Sequence, residues 1–264
     1  MSFIILILCL YSVGISGRRL PEHYQGRIIN GDVTTIDQYP SAAVPLLYDC
    51  FINVYREFCG ASIINSRTIL TAAHCIVQHV PISYWQMRVG STFSNRGGVV
   101  HPASKIFIYP YYNSRTEDND IGLIQTSVPF SFNSLVSPAR IAEWNYYLPD
   151  GEPVTAVGWG MNDTSSHIGS DQLRKIHLNT INWKLCDTIF QKIGLSVDEN
   201  MLCIGIPGGG VGGQCGGDSG SPVYHNDVIV GVCSWGHEEC DNPNFPHVNM
   251  LVSRYAYWIK DNAK

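Results

Sequence analysis

The stretch GGGVGGQCGGDSGSP runs from Gly208 to Pro222 and surrounds Ser219 with glycine. A serine hydroxyl is a weak nucleophile at neutral pH and reacts only when a neighbouring base takes its proton. The oxyanion that then forms on a substrate needs N–H donors, which backbone groups on a tight turn supply, and glycine permits such a turn because it has no Cβ. The stretch therefore predicts Ser219 as a nucleophile, with the N–H groups of Gly217 and Ser219 as oxyanion donors.

A nucleophilic serine also needs a histidine as base and a buried carboxylate to hold that histidine. His74 stands in LTAAHC, where an apolar run ends in small residues, and Asp120 stands in DNDIGLI, directly ahead of an apolar run. The chain order is histidine, aspartate, serine, which is one of the known orders of this triad. We expect His74 and Asp120 to complete the site.

The composition narrows the class of protein. The chain has 264 residues, 45% of them hydrophobic, and a formal net charge of −5 without basic blocks. Such a chain can bury one large core or two modest ones. Since a basic face is the usual sign of nucleic-acid binding, no nucleic-acid partner is expected.

The N-terminus carries a short apolar run, Phe3–Leu10, followed by the small residues Gly14 and Ser16. The run is too short to cross a bilayer and fits a signal peptide over residues 1–16. Residues 17–27 are polar, and no later stretch is a membrane candidate. We therefore expect a secreted, extracellular protein without a membrane partner.

The remaining chain alternates short runs rich in Val, Ile and Tyr with clusters of Gly, Asn, Pro and Ser, as in PVTAVGWG and DVIVGVCSWG. This spacing predicts an all-β sandwich or barrel. A break near residues 139–149 separates two halves. At the end, Leu251, Tyr255 and Trp258 have helical spacing and predict an external C-terminal helix.

Cysteine usage fits secretion. Eight cysteines remain after Cys9 leaves with the signal peptide, which suggests disulfides whose pairing the spacing alone does not give. No CxxC pair or HxxxH cluster offers metal-ligand spacing, so no metal and no cofactor is expected. Asn162 begins an N-x-T acceptor for glycosylation.

Five motifs in order now resemble one family. RIING, TAAHC, DNDIGLI, GDSGSP and CSWG look like the chymotrypsin/trypsin family of secreted serine endopeptidases, and the detail is similar to lepidopteran trypsin-like enzymes. The resemblance covers Arg27 to the C-terminus. It implies two six-stranded antiparallel β-barrels with a C-terminal helix, over about 28–140 and 141–264.

The resemblance also implies roles for the site residues. His74 would act as general base and then general acid, Asp120 would fix its tautomer, and Ser219 would form the acyl-enzyme. Ser234 would lie against the Asp120 carboxylate. The implied disulfides are Cys59–Cys75, Cys186–Cys203 and Cys215–Cys240.

A zymogen is implied as well, with residues 17–27 as its activation propeptide. Cleavage after Arg27 would free the α-amino group of Ile28, which in this family pairs with the aspartate before the nucleophile, here Asp218. The pair would order the oxyanion loop and the substrate pocket. The activating protease would be trypsin-like because it cuts after arginine.

The substrate pocket departs from the family pattern. Trypsins carry an aspartate six residues before the nucleophile, where this chain has Gly213, so ordinary Arg/Lys specificity is in doubt. A wall position that is usually glycine is His247 here. Gln214, Trp235 and Gly236 are the other expected pocket residues.

Three interpretations of the pocket stay open. His247 could partly fill it and select small or medium apolar side chains. His247 could instead pair with an acidic substrate side chain, helped by Gln214 and weakening as pH rises. Glu239 could reach a basic substrate side chain from the rim.

Two further expectations concern metal and thiols. The stretch matching the calcium loop of trypsins, Ser91–Phe107, contains no Asp or Glu, so no calcium site is expected. Cys50 and Cys233 are left over from the implied pairs. Cys233 reads as a buried thiol, whereas Cys50 could stay reduced, link to another molecule or pair with Cys233.

The expected function is digestive proteolysis, with a gut lumen as the candidate location, by a monomer acting on protein or peptide substrates. Its other partners would be the activating protease and protein protease inhibitors. The alternative is a catalytically silent homologue of the family that binds or regulates. A third interpretation, a cascade protease, is less favoured because the segment before Ile28 contains no cysteine of a regulatory domain.

Overall fold

A computed structural model describes residues 28–76, 80–160, 170–206 and 208–264. The predicted signal peptide, the propeptide with Arg27, and Asn162 lie outside the described residues. None of the described helices is both long and apolar enough to cross a bilayer.

The first half of the chain forms eight strands. They are β1 (Asp32–Val33), β2 (Ala42–Asp49), β3 (Val54–Glu57), β4 (Ala61–Ile63), β5 (Thr68–Thr71), β6 (Trp85–Val89), β7 (Val99–Ile108) and β8 (Gly122–Thr126). Short 3-10 turns occur at Ile82–Tyr84 and, in the second half, at Gln191–Ile193.

The second half forms seven strands and two helices. They are β9 (Arg140–Ile141), β10 (Pro153–Gly158), β11 (Arg174–Ile181), α1 (Trp183–Phe190), β12 (Met201–Gly205), β13 (Pro222–His225), β14 (Val228–Trp235), β15 (His247–Leu251) and α2 (Val252–Asn262).

Each half closes into a six-stranded antiparallel barrel. The first has the order β2-β4-β5-β8-β7-β6 and closes by the pairing of β2 with β6, while β3 extends β2. The second has the order β11-β10-β13-β14-β15-β12 and closes by the pairing of β11 with β12. Closure removes the free sheet edges. The predicted fold class, two six-stranded barrels with a C-terminal helix, is confirmed.

Alternation within the strands explains the two cores. In β6 the side chains of Trp85, Met87 and Val89 are buried and those between them are half-buried. In β11 the same period buries Ile176 and Leu178. This period of two turns one face of each strand toward the inside of its barrel.

Two short strands, β1 and β9, pair with strands that are far from them in the sequence. β1 precedes the first barrel in sequence but pairs with β11 of the second, with Asp32 opposite Lys175. β9 runs parallel to β14, with Arg140 opposite Val228. The start of the described chain therefore belongs to the second barrel.

The helices have different sequence signals. The buried residues of α2 are Val252, Tyr255, Ala256 and Ile259. Of the three residues whose spacing predicted this helix, Leu251, Tyr255 and Trp258, only Tyr255 is buried, so the buried face differs from the predicted one. The sequence analysis did not predict α1. Its N-cap is Asn182, whose side chain accepts bonds from the N–H groups of Lys184 and Leu185 at 3.0 and 3.3 Å.

Candidate active site

The register between β5 and β8 brings His74 to Asp120. Thr71 lies opposite Gly122 at the end of this antiparallel pair. His74 follows β5 and Asp120 precedes β8, so both lie at the same edge. The Asp120 carboxylate accepts from the backbone N–H of His74 at 2.7 Å, and its other oxygen lies 2.6 Å from His74 Nδ1. The carboxylate thus fixes both the backbone and the ring.

The environment of this pair favours protonation of the ring. Asp120 is completely buried, and Ser234 of β14 donates to its Oδ2 at 2.5 Å. Burial lowers the pKa of His74, but the charge and hydrogen bond of Asp120 and the charge of Glu117 raise it, and the net pKa is raised. The ring is 26% exposed, so part of it is open to solvent.

Ser219 lies where the two barrels meet. Its carbonyl accepts from Gly60 N of the first barrel at 2.8 Å, and the next residue, Gly220, donates to Cys233 O of the second barrel at 2.8 Å. Gly220 has φ +78°, and a Cβ there would lie 3.1 Å from Ala72 N and closer still to Gly60 O. Glycine at 220 therefore lets Ser219 approach the turn that carries His74.

No hydrogen bond yet joins the serine to the histidine. Within the described residues, the His74 ring bonds to Asp120, and its Nε2 lies 3.8 Å from the disulfide sulfur of Cys75. Ser219 is half-buried. Catalytic hydrogen bonds are often long in an empty site and shorten with substrate.

The turn before Ser219 leaves two N–H groups available. Gly217 has φ +83°, a left-handed conformation that favours glycine. In this turn Asp218 N donates to Cys215 O and Ser221 N donates to Asp218 O, at 3.0 and 2.8 Å. Within the described backbone, the N–H groups of Gly217 and Ser219 have no such acceptor, so both can bind an oxyanion.

Asp218 is buried in a cradle of glycine. Its carboxylate accepts from Gly160 N at 2.8 Å and Cys215 N at 3.1 Å. A Cβ on Gly158 or Gly160 would come within 2.3 or 2.0 Å of that carboxylate. The GWG motif therefore leaves the space that Asp218 occupies, a role that the sequence analysis missed.

The charged form of the buried Asp218 carboxyl group would be stabilised by a nearby cation. Burial raises its pKa to about 8, although the hydrogen bonds from Cys215 and Gly160 lower it. A buried carboxylate is stabilised by an opposite charge nearby. Ile28 is fully buried at the start of the described chain, and Ile29 pairs with Gly213 through N–H···O bonds of 2.8 and 3.1 Å.

His247 lies directly against Gly213. A Cβ on Gly213 would fall 1.8 Å from His247 Nε2, and a Cβ on Gly236 would lie 3.9 Å from Nδ1. Nε2 is 3.2 Å from Gly212 O, so this nitrogen carries the proton and donates it. Burial lowers the pKa of His247, opposed by the carbonyls of Gly212 and Gln214. The imidazole is thus neutral and spans the gap between the two glycines.

The other predicted pocket residues differ in burial. Gln214 is buried, and neither its amide oxygen nor its amide nitrogen has a partner among the described residues. Trp235 is half-buried and packs edge-on against Phe190 at 4.8 Å between ring centroids. Glu239 is exposed, and its carboxylate accepts from Asn242 Nδ2 at 3.2 Å on the surface loop.

The three implied disulfides are present, joining Cys59 to Cys75, Cys186 to Cys203, and Cys215 to Cys240. The first ties the turn of His74 to the segment that bonds Ser219, and the third ties the Asp218 loop to the β14–β15 loop. Cys50 and Cys233 lie outside these bonds. Cys233 is buried, which raises the pKa of its thiol and keeps it neutral.

Two sets of three potential metal-ligand side chains occur among the described residues, and both include His74. One contains Cys59 and Cys75, whose sulfurs are in a disulfide and so are not thiolates. The other contains Glu117 and Asp120. Sequence reasoning missed Glu117, although it stands in the acidic stretch EDND before β8.

Comparison with known proteins gives consistent matches. The family model described as Trypsin matches residues 28–259. The chain is 45% identical to "Trypsin, alkaline A" of Manduca sexta over 258 residues, 98% of this chain and 99% of that protein. It is 44% identical to "Trypsin CFT-1" of Choristoneura fumiferana over 259 residues, 98% of each chain.

A solved structure is also similar. It is described as a scabies mite inactivated protease paralogue, S-D1, and has a TM-score of 0.77 and 25% sequence identity. The match covers 89% of this chain and 96% of that chain.

Proposed function

Since this chain belongs to the trypsin family of serine endopeptidases, we propose that it hydrolyses peptide bonds through His74, Asp120 and Ser219. The observation that carries the proposal is the contact of His74 Nδ1 with Asp120 Oδ2 at 2.6 Å. It leaves Nε2 as the nitrogen that can take the serine proton. The Ser219 turn, with its available N–H groups, supplies the second half of the site.

In the first stage, Ser219 Oγ attacks the scissile carbonyl carbon and its proton passes to His74 Nε2. The negative charge on the carbonyl oxygen is stabilised by the N–H groups of Gly217 and Ser219, and loss of one such donor costs about 10²–10³ in kcat. His74 then gives the proton to the leaving amine, and the acyl-enzyme remains. Water, deprotonated by His74, attacks the acyl carbon and releases the acid and Ser219.

We propose activation by cleavage after Arg27 because Asp218 is a buried carboxyl group without a cationic partner among the described residues. The new ammonium of Ile28 would supply the cation for this buried carboxylate, and breaking such a pair from one side is strongly destabilising. The pairing of Ile29 with Gly213 would transmit the change to the pocket. The activating enzyme is a protease that cuts after arginine.

The pocket is proposed to accept small or medium apolar side chains at P1, the substrate residue before the scissile bond. Three features support this: Gly213 supplies no carboxylate, His247 is neutral and fills space next to Gly213, and Glu239 points to Asn242 on the surface. A basic P1 side chain would have no counter-charge at the pocket base. An acidic one would find an uncharged ring.

The setting proposed is digestion outside the cell, in a gut lumen. Three disulfides fit an oxidising compartment, and the relatives named as trypsins come from insects. The proposed partners are protein substrates, the activating protease and protein protease inhibitors, and the proposed state is a monomer.

The second candidate is a silent homologue that binds without cleaving. It is favoured by the resemblance to a structure described as an inactivated paralogue. It is opposed by the three triad residues and by the contact between His74 and Asp120.

The experiment begins with cleavage after Arg27 by immobilised trypsin, which is then removed. A set of biotinylated phosphonates with apolar, basic or acidic P1 groups is then applied, and at least the apolar member is expected to label wild type covalently and to leave Ser219→Ala unlabelled. Uncleavable Arg27→Gln should label at least about tenfold more slowly. A folded, cleaved wild-type chain that takes no label would move the protein to the silent class.

Substrate choice is tested separately on a mixed peptide library, again with Ser219→Ala as the control. Cleavage after small or medium apolar residues supports the pocket proposal. Cleavage after Arg or Lys would contradict it while leaving the triad proposal intact.

A further inference from the structure

A second carboxylate stands beside the His74–Asp120 pair. One oxygen of Glu117, one oxygen of Asp120 and one ring nitrogen of His74 all lie within 4.8 Å of one another. Glu117 is half-buried, whereas Asp120 is fully buried. The mechanism proposed above gives Glu117 no part.

Glu117 is held in place by its loop. The Tyr112 hydroxyl donates to Glu117 Oε2 at 2.8 Å. Asn113 N donates to Asp118 O at 3.0 Å, which closes the loop on both sides of Glu117. Glu117 itself has φ +54°, a left-handed conformation that costs a non-glycine residue energy and persists only when the surroundings impose it.

The charges near His74 come from these two carboxylates. Burial raises the pKa of Glu117, the bond from Tyr112 lowers it, the charge of Asp120 raises it, and His74 lowers it. The net effect raises the pKa of Glu117 from its ordinary value of 4.5. A carboxylate at this distance favours the charged form of an imidazole.

Other groups that face the pair carry no charge near neutral pH. Ser234 donates to Asp120, and Cys233 is a neutral buried thiol. Tyr255 of α2 donates to Asn119 Oδ1 at 3.3 Å, and its pKa, like that of Tyr112, is raised by burial. Among the described residues, Glu117 and Asp120 are therefore the charges that act on His74 at short range.

We propose that Glu117 is a positioning residue that acts with Asp120 to stabilise the imidazolium form of His74. The inference rests on the proposed catalytic role of His74. Stabilising the imidazolium assists the stage in which His74 holds the serine proton. The same interaction also has a cost on acidification. The His74 ring must be neutral to act as a base, so the free enzyme loses activity at a higher pH than it would without the Glu117 carboxylate.

The test is Glu117→Gln, which keeps the size of the side chain and an oxygen for Tyr112. The cleaved enzyme carries Ser219→Ala and labelled histidine, and the His74 imidazole is titrated by NMR, with its signal assigned by His74→Gln. We expect Glu117→Gln to lower the pKa of His74 by about 0.5–1 unit. In active enzyme that keeps Ser219, Glu117→Gln should move the acid limb of the pH profile of kcat/KM to lower pH by the same amount.

Three controls define the outcome. Glu199→Gln removes a surface carboxylate that pairs with Arg254 at 3.0 Å and should leave the His74 pKa unchanged. Glu117→Asp, which keeps the charge, should restore part of the shift. Tyr112→Phe, which favours protonated Glu117, should lower the His74 pKa by a smaller amount and serves if Glu117→Gln does not fold.

An unchanged His74 pKa in folded Glu117→Gln, with the enzyme active, overturns the role of Glu117 alone. If Glu117→Gln lowers the His74 pKa but the protein shows no Ser219-dependent cleavage, the electrostatic coupling of Glu117 to His74 is upheld and the proposed function is overturned. The NMR titration separates these two results because it does not depend on turnover.

Discussion

His247 occupies the space that a side chain at residue 213 would need. A Cβ on Gly213 would lie 1.8 Å from His247 Nε2, and the bond from Nε2 to Gly212 O at 3.2 Å holds the ring there. In the proposed substrate pocket, Gly213 and His247 would form the base together, so we expect a change at His247 to alter substrate preference more than a change at residue 213.

Replacing His247 by glycine should enlarge the pocket. His247→Gly removes a ring next to Gly213 and Gly236, and we expect kcat/KM for peptides with Phe or Tyr at P1 to rise about tenfold or more relative to Ala. The measurement is a matched set of peptides that differ only at P1. Glu239→Gln is the control and should leave the profile unchanged, because Glu239 bonds to Asn242 outside the pocket. The same profile in His247→Gly and wild type would contradict the prediction.

The pocket should not select acidic side chains at neutral or alkaline pH. Burial lowers the pKa of His247, so the ring is neutral there and becomes positive only when the pH falls below that lowered value. We expect the ratio of kcat/KM for P1 Glu over P1 Gln to stay constant from about pH 7 to 10 and to rise only on acidification. A ratio that falls steeply between pH 7 and 9 would show that the imidazole is charged and pairs with substrate.

Gly160→Ala should damage the Asp218 cradle. Its Cβ would lie 2.0 Å from the carboxylate, and overpacking of this kind costs about 1–3 kcal/mol. We expect Tm to fall by several degrees and activity after cleavage at Arg27 to fall at least about tenfold. Gly205→Ala is the matched control, since the nearest atom there is the flexible Ile181 Cδ1 at 3.0 Å. Equal effects of the two changes would argue against a specific cradle.

Ser234→Ala should lower turnover with little effect on substrate binding. The hydroxyl donates to the buried Asp120 carboxylate at 2.5 Å, and hydrogen bonds to charged groups contribute about 1.5–3 kcal/mol. We expect kcat to fall about tenfold with KM within about twofold, measured on a P1-optimised peptide. Ser62→Ala is the control, because that buried hydroxyl has no partner among the described residues. An unchanged kcat would remove Ser234 from the site.

The sequence predicted most where a short motif carries the information. The apolar runs indicated the β class, the resemblance implied the two barrels, and the three disulfide pairs it implied are confirmed. His74 and Asp120 were chosen from two local motifs, and the β5–β8 register explains why they meet over 46 residues.

The missed features depend on contacts between loops that local patterns do not encode. Glycine at 158 and 160 makes sense only once Asp218, 58 residues after Gly160, lies against it. Glu117 looked like one acidic residue among three until its left-handed turn set it beside His74. Asn182 is a typical N-cap residue for helix α1. Asparagine side chains also bond to backbone N–H groups in turns, and the residues Lys184 and Leu185 that follow do not distinguish the two cases.

The bonds between Ile29 and Gly213 bear on any attempt to redesign this protein. Both backbone groups of residue 213 are tied to the second residue of the described chain, at 2.8 and 3.1 Å. A library randomised at 213 would therefore select for correct docking of the segment that contains Ile29 as well as for a new substrate. Variants should be sorted by conformation before they are ranked by specificity, and a fusion partner belongs at the C-terminus.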